Sequence, residues 1–129
     1  MDANLRKKVV VADIDLPQEK GKNLSEREVL PLEKPHNRHS DLFLMIRKKV
    51  TSIFDHFGGI NSLLEGKKRV FIKPNGIDSK EYCYTRPEVL EAIILECQRA
   101  DVDEIFVMEN STQCNMTRIV FSAVGYKKI

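Results

Sequence analysis

The feature that most constrains the fold of this chain is a strand–helix–strand pattern between residues 69 and 109. A strand is predicted at Val70 to Ile72, and it ends near Pro74 because proline cannot donate a hydrogen bond to a sheet. A helix is predicted from Thr85 to about residue 100, followed by a second apolar strand from Ile105 to Met108. Two strands joined by a helix pair in parallel through a right-handed crossover. The pattern therefore predicts an α/β fold.

Local signals refine the helix and the second strand of this unit. Thr85 and Glu88 have the spacing of a capping box, in which the Thr85 hydroxyl accepts from the Glu88 amide and the Glu88 carboxylate reaches back. The run from Ile105 to Met108 is almost continuously apolar, which is typical of a strand covered on both faces of a parallel sheet. We therefore expect helices on both sides of the second strand.

The remaining elements complete the predicted domain organisation. Residues 1–15 contain a first buried strand at Val9 to Ile14, residues 16–40 form a mobile loop, and residues 41–129 form the α/β core of a single domain. The loop is either a lid over the crevice or a plain surface segment. A helix from Asp41 to Phe57, capped by Ser40, and a final helix ending near Val124 are also predicted. The expected fold is a Rossmann-like three-layer module with a small, mostly parallel sheet.

A sheet of three strands leaves an open edge, and open edges pair with other chains. Either the protein forms homo-oligomers, or the natural chain continues and these residues are the amino-terminal part of a larger, incomplete fold. The formal net charge of +2 is too small to indicate nucleic acid as a partner, and no nucleic-acid partner is expected. The sequence has no apolar run long enough for a membrane span and no apolar signal-peptide core, so a cytoplasmic protein without a membrane partner is expected.

Cysteine and histidine placement gives no metal site. The three cysteines are widely spaced and form no CxxC pair, so neither a zinc nor an iron–sulfur signature is present. Cys97 lies on a predicted helix, whereas Cys83 and Cys114 lie near loops beside the predicted crevice, as reactive or as inert thiols. His36 and His39 are three residues apart, and no third ligand lies near them in the sequence.

Polar side chains follow both predicted strands at the points where they end, and the helix start lies close by. The candidate ligand-binding residues are Lys73, Asn75, Thr85, Asn110 and Ser111, and the candidate catalytic residue is Glu109. Ligands of open α/β sheets bind at the carboxyl ends of the strands. The Lys73 ammonium and the amides of a helix start at Thr85 suit a phosphate or carboxylate. The expected partner is therefore an anionic small molecule.

Glu109 has several roles open to it in this arrangement. It could act as a base, bind a metal, or form a structural ion pair with Lys73, in which case Asn75 and Asn110 simply cap turns. Ser111 lacks the G-x-S-x-G surroundings of a serine nucleophile. The sequence also lacks the glycine-rich motifs of dinucleotide and triphosphate sites. The residues thus predict a place for a ligand and name no reaction.

Three segments carry a resemblance to a known family. The segments are Arg69-Val70-Phe71-Ile72-Lys73-Pro74-Asn75, Tyr84-Thr85-Arg86-Pro87-Glu88-Val89-Leu90-Glu91-Ala92-Ile93 and Asp103-Glu104-Ile105-Phe106-Val107-Met108-Glu109-Asn110-Ser111. Over about residues 41–126 the chain resembles the amino-terminal half of the family called domain of unknown function 362 (DUF362). Many members end the second strand with Gly-Asp-Ser, where this chain has Met108-Glu109-Asn110.

The resemblance implies a longer parent protein. Family members are usually longer, and many carry ferredoxin-like cysteine clusters for iron–sulfur centres further along the chain. This chain has none of those cysteines, so no cofactor is expected in it, and an iron–sulfur cluster is implied only for a longer parent. The first hypothesis is a domain that binds an anionic small molecule within a larger redox protein. The alternative is a non-catalytic interaction or oligomerisation module that docks through its open sheet edge.

Overall fold

A computed structural model describes residues 11–12, 38–80, 82–110 and 117–129, with the exception of the Lys128 side chain. The regular elements, in chain order, are helix α1 (Asp41–His56), helix α2 (Ile60–Leu64), strand β1 (Arg69–Ile72), helix α3 (Pro87–Arg99), strand β2 (Glu104–Val107), helix α4 (Thr117–Ala123) and a short 3₁₀ helix (Tyr126–Lys128). The fold is therefore mixed α/β, as predicted.

Local signals set both ends of helix α1. The Phe43 amide donates a hydrogen bond to Ser40 Oγ at 3.1 Å, which confirms Ser40 as the N-cap. Gly58 and Gly59 follow the helix with φ of +86°, a left-handed conformation that costs glycine little and other residues more. None of the helices in the described ranges is both long enough and apolar enough to cross a bilayer.

Strands β1 and β2 form a two-stranded parallel sheet. The register pairs Arg69 with Glu104 and Ile72 with Val107 at its two ends. Ile72 and Val107 point to the same face and pack against the buried cluster formed by α3, α4 and the 3₁₀ helix, which contains Leu90. The strand–helix–strand unit and its parallel pairing are thus confirmed.

On the opposite face of this sheet the described side chains are exposed. Phe71 is 60% exposed, Phe106 is 41% exposed, and Met108, just past β2, is 53% exposed. The prediction that the second strand is covered on both faces is wrong. A continuous apolar run shows that both sets of alternating side chains are hydrophobic, but it does not show that a second layer covers each set. Among the described residues, helices pack on one face of the sheet.

Helix α1 packs against helix α3 through a second apolar cluster. Ile46 and Val50 of α1 and Ala92 of α3 are buried there, and partly buried side chains from both helices surround them. The buried side chains of α1 recur at three- and four-residue spacing, as expected for a helix with one apolar face. This contact fixes α1 against the helix that connects the two strands.

Two carboxylates are buried on α3. Glu91 is 1% exposed and Glu96 is 3% exposed. Arg38, just before α1, forms an ion pair with Glu91. Thr51 of α1 donates its hydroxyl proton to Glu96 Oε1 at 2.7 Å, and Arg99 Nη1 donates to the same oxygen at 2.9 Å. Burial of these charges is tolerated because each has a partner.

The predicted amino-terminal elements lie mostly outside the described residues. Of the strand predicted at Val9 to Ile14, Val11 and Ala12 are described; neither has regular secondary structure, and Val11 is 84% exposed. The other residues of this strand lie outside the described ranges, so the strand stays a prediction. Residues 16–37 of the predicted loop, which include His36, lie outside the described ranges, and so does Cys114.

Candidate functional site

The carboxyl ends of β1 and β2 bring Lys73 and Glu109 together. Lys73 Nζ donates to Glu109 Oε2 at 2.7 Å, and the Met108 amide donates to the Ile72 carbonyl at 2.9 Å, so strand pairing continues up to the site. The Lys73 side chain is 74% exposed, whereas that of Glu109 is 6% exposed. The buried carboxylate therefore anchors an amine that remains open to solvent.

Glu109 is held at both carboxylate oxygens. Oε2 accepts from Lys73, and Oε1 accepts from the backbone amide of Asn110 at 2.8 Å. The hydrogen bond from Lys73 lowers the pKa of the Glu109 carboxyl, and the Asn110 amide acts in the same direction against the opposing effect of desolvation. Glu109 is thus ionised at neutral pH, and its lowered pKa makes it a weaker base than an ordinary glutamate.

Gly76 makes room for the buried Glu109 side chain. A methyl group on Gly76 would lie 3.3 Å from Glu109 Cγ and 3.7 Å from Phe121 Cε1. A larger residue would force the carboxylate to shift. No local signal in the sequence ties Gly76 to Glu109, which lies 33 residues further along the chain.

The turn after β1 is tied to the segment before α3. The Asn75 amide donates to Thr85 Oγ1 at 2.9 Å, and the Thr85 amide donates back to the Asn75 carbonyl at 2.8 Å. Asn75 Nδ2 also donates to the Cys83 carbonyl at 3.1 Å. Asn75 and Thr85 were predicted to bind a ligand. In the structure, these groups hold the turn beside Lys73 in place.

The predicted capping box at Thr85 is wrong. Helix α3 begins at Pro87, its N-cap is Arg86, and no side chain caps it. Glu88 is paired with Arg86 at 3.3 Å instead of reaching back to Thr85. The Thr85 hydroxyl accepts from Asn75, a donor ten residues earlier in the chain, and this tertiary contact replaces the local cap.

Tyr126 lies beneath this turn and was not anticipated from the sequence. Its hydroxyl donates to the Thr85 carbonyl and lies 3.2 Å from the Asn75 carbonyl. Burial raises the pKa of Tyr126 to about 12, so the hydroxyl remains a hydrogen-bond donor at neutral pH. The preceding Gly125, with φ of +88°, is the N-cap of the 3₁₀ helix that carries Tyr126.

The structure does not bring the other two predicted ligand-binding residues, Asn110 and Ser111, into contact with Lys73 among the described residues. Asn110 is exposed and directly follows Glu109. Ser111 lies outside the described residues.

Two shallow depressions lie elsewhere, one along the outer face of α1 and the other at the amino ends of the strands beside Lys67 and Asp103. In the part of the chain that the structure describes, no three His, Cys, Asp or Glu side chains come together as a metal site.

Comparison with known proteins gives a match for the carboxyl-terminal part of the chain. Residues 70–129 match the family model described as Domain of unknown function (DUF362), which confirms the resemblance predicted from the sequence from residue 70 onward; residues 41–69 of the predicted span lie outside the match. The match contains β1 from Val70 onward and every later element, whereas α1 and α2 precede it. Neither the curated proteins nor the solved structures gave a match.

Proposed function

We propose that the DUF362 segment of this chain binds an anionic small molecule at the carboxyl ends of β1 and β2, with Lys73 as the charged ligand. The supporting observation is the combination of an amine that is 74% exposed with a carboxylate that is 6% exposed and holds it in place. A lysine ammonium has three protons to donate, and the bond to Glu109 uses one of them. Two protons are left to face a phosphate or a carboxylate.

The surroundings of Lys73 favour a preorganised site. Reciprocal hydrogen bonds between Asn75 and Thr85 close the turn, and the Tyr126 hydroxyl donates to the Thr85 carbonyl. The backbone beside the Lys73 amine is therefore fixed before any ligand binds. Fixed donors lose less entropy on binding than mobile ones. Asn110 and Ser111 are proposed as further ligand contacts, and Glu109 is proposed to position Lys73 and to act as a base for any reaction at this site.

Thermal stabilisation by inorganic phosphate tests this proposal. Phosphate should raise the melting temperature of the wild type, because a ligand that binds the folded state stabilises it. The variant Lys73→Ala should lose this shift. Lys67→Ala removes the same charge from an exposed position at the other end of the strands, and it should keep the shift. A phosphate-induced shift of equal size in Lys73→Ala would overturn the proposal.

The wider setting of the module is also a proposal. We infer a Rossmann-like arrangement that forms the amino-terminal part of a larger cytoplasmic protein, with iron–sulfur chemistry located in other parts of that protein. The parallel β1–α3–β2 unit and the DUF362 match support this inference. Determining the mass of the natural chain tests it, since a mass well above 14.9 kDa is expected.

A second candidate function is a docking module without catalysis. In the described ranges, β1 pairs with β2 and neither strand has a further neighbour, so each strand has an unpaired outer edge. Open edges are surfaces on which other strands add. Light scattering on the purified chain tests homo-oligomerisation. A strictly monomeric chain at high concentration would count against this candidate as a homo-oligomer.

A further inference from the structure

We propose that the exposed face of the two-stranded sheet packs against the same face of a second copy of the chain, so that the protein forms a weak symmetric dimer. The face consists of Arg69 and Phe71 on β1, Glu104 and Phe106 on β2, and Met108 just past β2. This contact is independent of the Lys73 site. It also differs from docking through the strand edges, because it buries side chains of the sheet and uses no backbone hydrogen bonds.

The face is an apolar patch with an ion pair at one end. Phe71, Phe106 and Met108 are all exposed, and the two phenylalanine rings stack with centroids 5.0 Å apart and planes at 15° to each other. At the amino ends of the strands, Arg69 Nε donates to a carboxylate oxygen of Glu104, and both side chains are exposed. Exposed apolar side chains that form one contiguous patch are typical of a surface that contacts another molecule.

The strand register makes this face complementary to itself. Arg69 lies beside Glu104, and Phe71 lies beside Phe106, each pair at the same level along the parallel strands. A two-fold axis that runs along the strands, midway between them, places β1 of each copy on β2 of the other. Arg69 of each copy then faces Glu104 of the other, and Phe71 faces Phe106. In such an isologous contact every pairing occurs twice.

The other face-to-face orientation of two copies is less favourable. A two-fold axis across the strands, at the level of the aromatic pair, would place Glu104 of each copy on Met108 of the other, since both lie two residues from Phe106. The carboxylate would lose water against an apolar side chain. The charge pattern therefore favours the axis along the strands. Sheets packed in this aligned way lie about 10 Å apart, with strand directions within about 30° of each other.

The guanidinium of Arg69 can bond two carboxylates at once. A guanidinium has five N–H donors in a planar fork, and the bond from Nε to Glu104 of the same chain uses one of them. Other donors can bond Glu104 of the second copy. Two arginines and two glutamates then alternate in one cluster at the rim of the apolar patch, and such networks contribute more than isolated surface pairs.

The size of the face makes the dimer weak. Five side chains per copy are far fewer than the roughly 20 to 30 residues a side of a stable interface. We therefore expect association at protein concentrations of roughly 0.1 to 1 mM, in fast exchange with the monomer. Sedimentation equilibrium of the full chain over this range measures the dissociation constant.

Two charge-reversed variants test the arrangement. In Arg69→Glu and in Glu104→Arg, the dimer of each variant brings like charges together twice, so each variant alone should associate more weakly than the wild type. An equimolar mixture of the two replaces these repulsions with two attractive contacts. An exposed ion pair changes an equilibrium constant about 1.4- to 5-fold, so the mixed dimer should be at least about 4-fold tighter than the dimer of either variant. Each chain keeps its own like-charge pair in the mixture, so this gain comes from contacts between copies.

The variant Phe71→Ala tests the apolar part of the contact. The dimer has two Phe71–Phe106 contacts between copies, and their loss should raise the dissociation constant at least about 5-fold. Leu44→Ala is the matched control, because Leu44 is also an exposed large apolar residue but lies on α1, and it should behave as the wild type.

Three results would overturn the inference. The first is a wild type that stays monomeric up to about 1 mM. The second is a mixture of the charge variants that associates no more tightly than either variant alone, since the charges then do not meet across the two-fold axis. The third is a dimer of Phe71→Ala as tight as that of the wild type, which would place the contact elsewhere, for example at the strand edges. None of these results changes the phosphate test of the Lys73 site.

Discussion

The hydroxyl of Tyr126 gives the sharpest test of the structure around the site. Tyr126 is 7% exposed, and its hydroxyl donates to the carbonyl oxygen of Thr85. The substitution Tyr126→Phe keeps the ring, including its edge-to-face contact with Phe121 at 5.1 Å between centroids, and removes the donor alone. The Asn75 carbonyl keeps its bond from the Thr85 amide, so the Thr85 carbonyl is the group that loses its donor.

The expected size of the effect follows from that one lost donor. A buried acceptor left without its partner costs about 1 to 3 kcal/mol of unfolding free energy. For a chain of 129 residues, this corresponds to a drop in melting temperature of roughly 4 °C for each kcal/mol. Urea unfolding at pH 7, followed by circular dichroism, measures the difference between wild type and Tyr126→Phe directly.

The same substitution has a pH dependence of known sign. Burial raises the pKa of Tyr126 from 10.0 to about 12, so between these values the folded state holds a proton that the unfolded state has lost. Stability from this group is complete below pH 10 and is lost as pH rises towards 12. At pH 11 the unfolding free energy of the wild type should therefore fall by about 1.4 kcal/mol relative to that of Tyr126→Phe, which has no phenol to titrate.

Tyr82→Phe is the matched control for this prediction. Tyr82 is 86% exposed, and removal of its hydroxyl should change stability by less than about 0.5 kcal/mol. If the unfolding free energy of Tyr126→Phe also differed from that of the wild type by less than this margin, the hydrogen bond to Thr85 would contribute nothing to stability. The reasoning would then be refuted. A stability gap that stayed constant between pH 7 and pH 11 would refute the raised pKa.

Three further predictions concern other contacts. The substitution Thr51→Val removes the hydroxyl that donates to the buried Glu96, and urea unfolding should show a loss of about 1 to 3 kcal/mol. Burial raises the pKa of the Cys97 thiol, so it should resist a thiol reagent in the native protein and react after unfolding. In Lys73→Ala, NMR titration should show a higher pKa for Glu109, and acid unfolding below about pH 4.5 should be less steep than in the wild type.

The controls for these predictions use neighbouring positions. Ser52→Ala removes a hydroxyl from an exposed position of α1 and should leave stability unchanged, whereas an equal loss in both variants would show that the Glu96 contact is unimportant. For the thiol reagent, rapid modification of Cys97 in the folded protein contradicts its burial. For Lys73→Ala, an unchanged pKa of Glu109 would show that Lys73 does not set it.

The sequence predicted the position of the candidate site because that position depends on topology. Two parallel strands end at the same edge of a sheet, so Lys73 and Glu109 were expected to meet, and their atoms lie 2.7 Å apart. Ser40 was predicted as a cap because its donor lies three residues away on the same helix. Both cases depend on short-range geometry or on the pairing of two strands.

The contacts that the sequence missed depend on residues far apart in the chain. The Thr85 hydroxyl could accept a hydrogen bond from the helix that follows it or from Asn75. In the structure it accepts from the Asn75 amide. Tyr126 lies 41 residues after the carbonyl to which it donates. The exposure of Phe71 and Phe106 also needed the structure, because hydrophobicity alone does not show which face of a strand is covered.

The buried carboxylates of α3 have a mechanical consequence for the molecule. An apolar helix interface can shear, since one hydrophobic side chain replaces another as the helices slide. Here a slide of one turn, about 5.4 Å, would carry Glu91 away from Arg38 and Glu96 away from Thr51, while Glu96 would keep Arg99 of its own helix as a partner. We therefore expect the Arg38–Glu91 ion pair to oppose sliding of α1 along α3, so that a displacement of α1 is passed to the helix that connects the two strands.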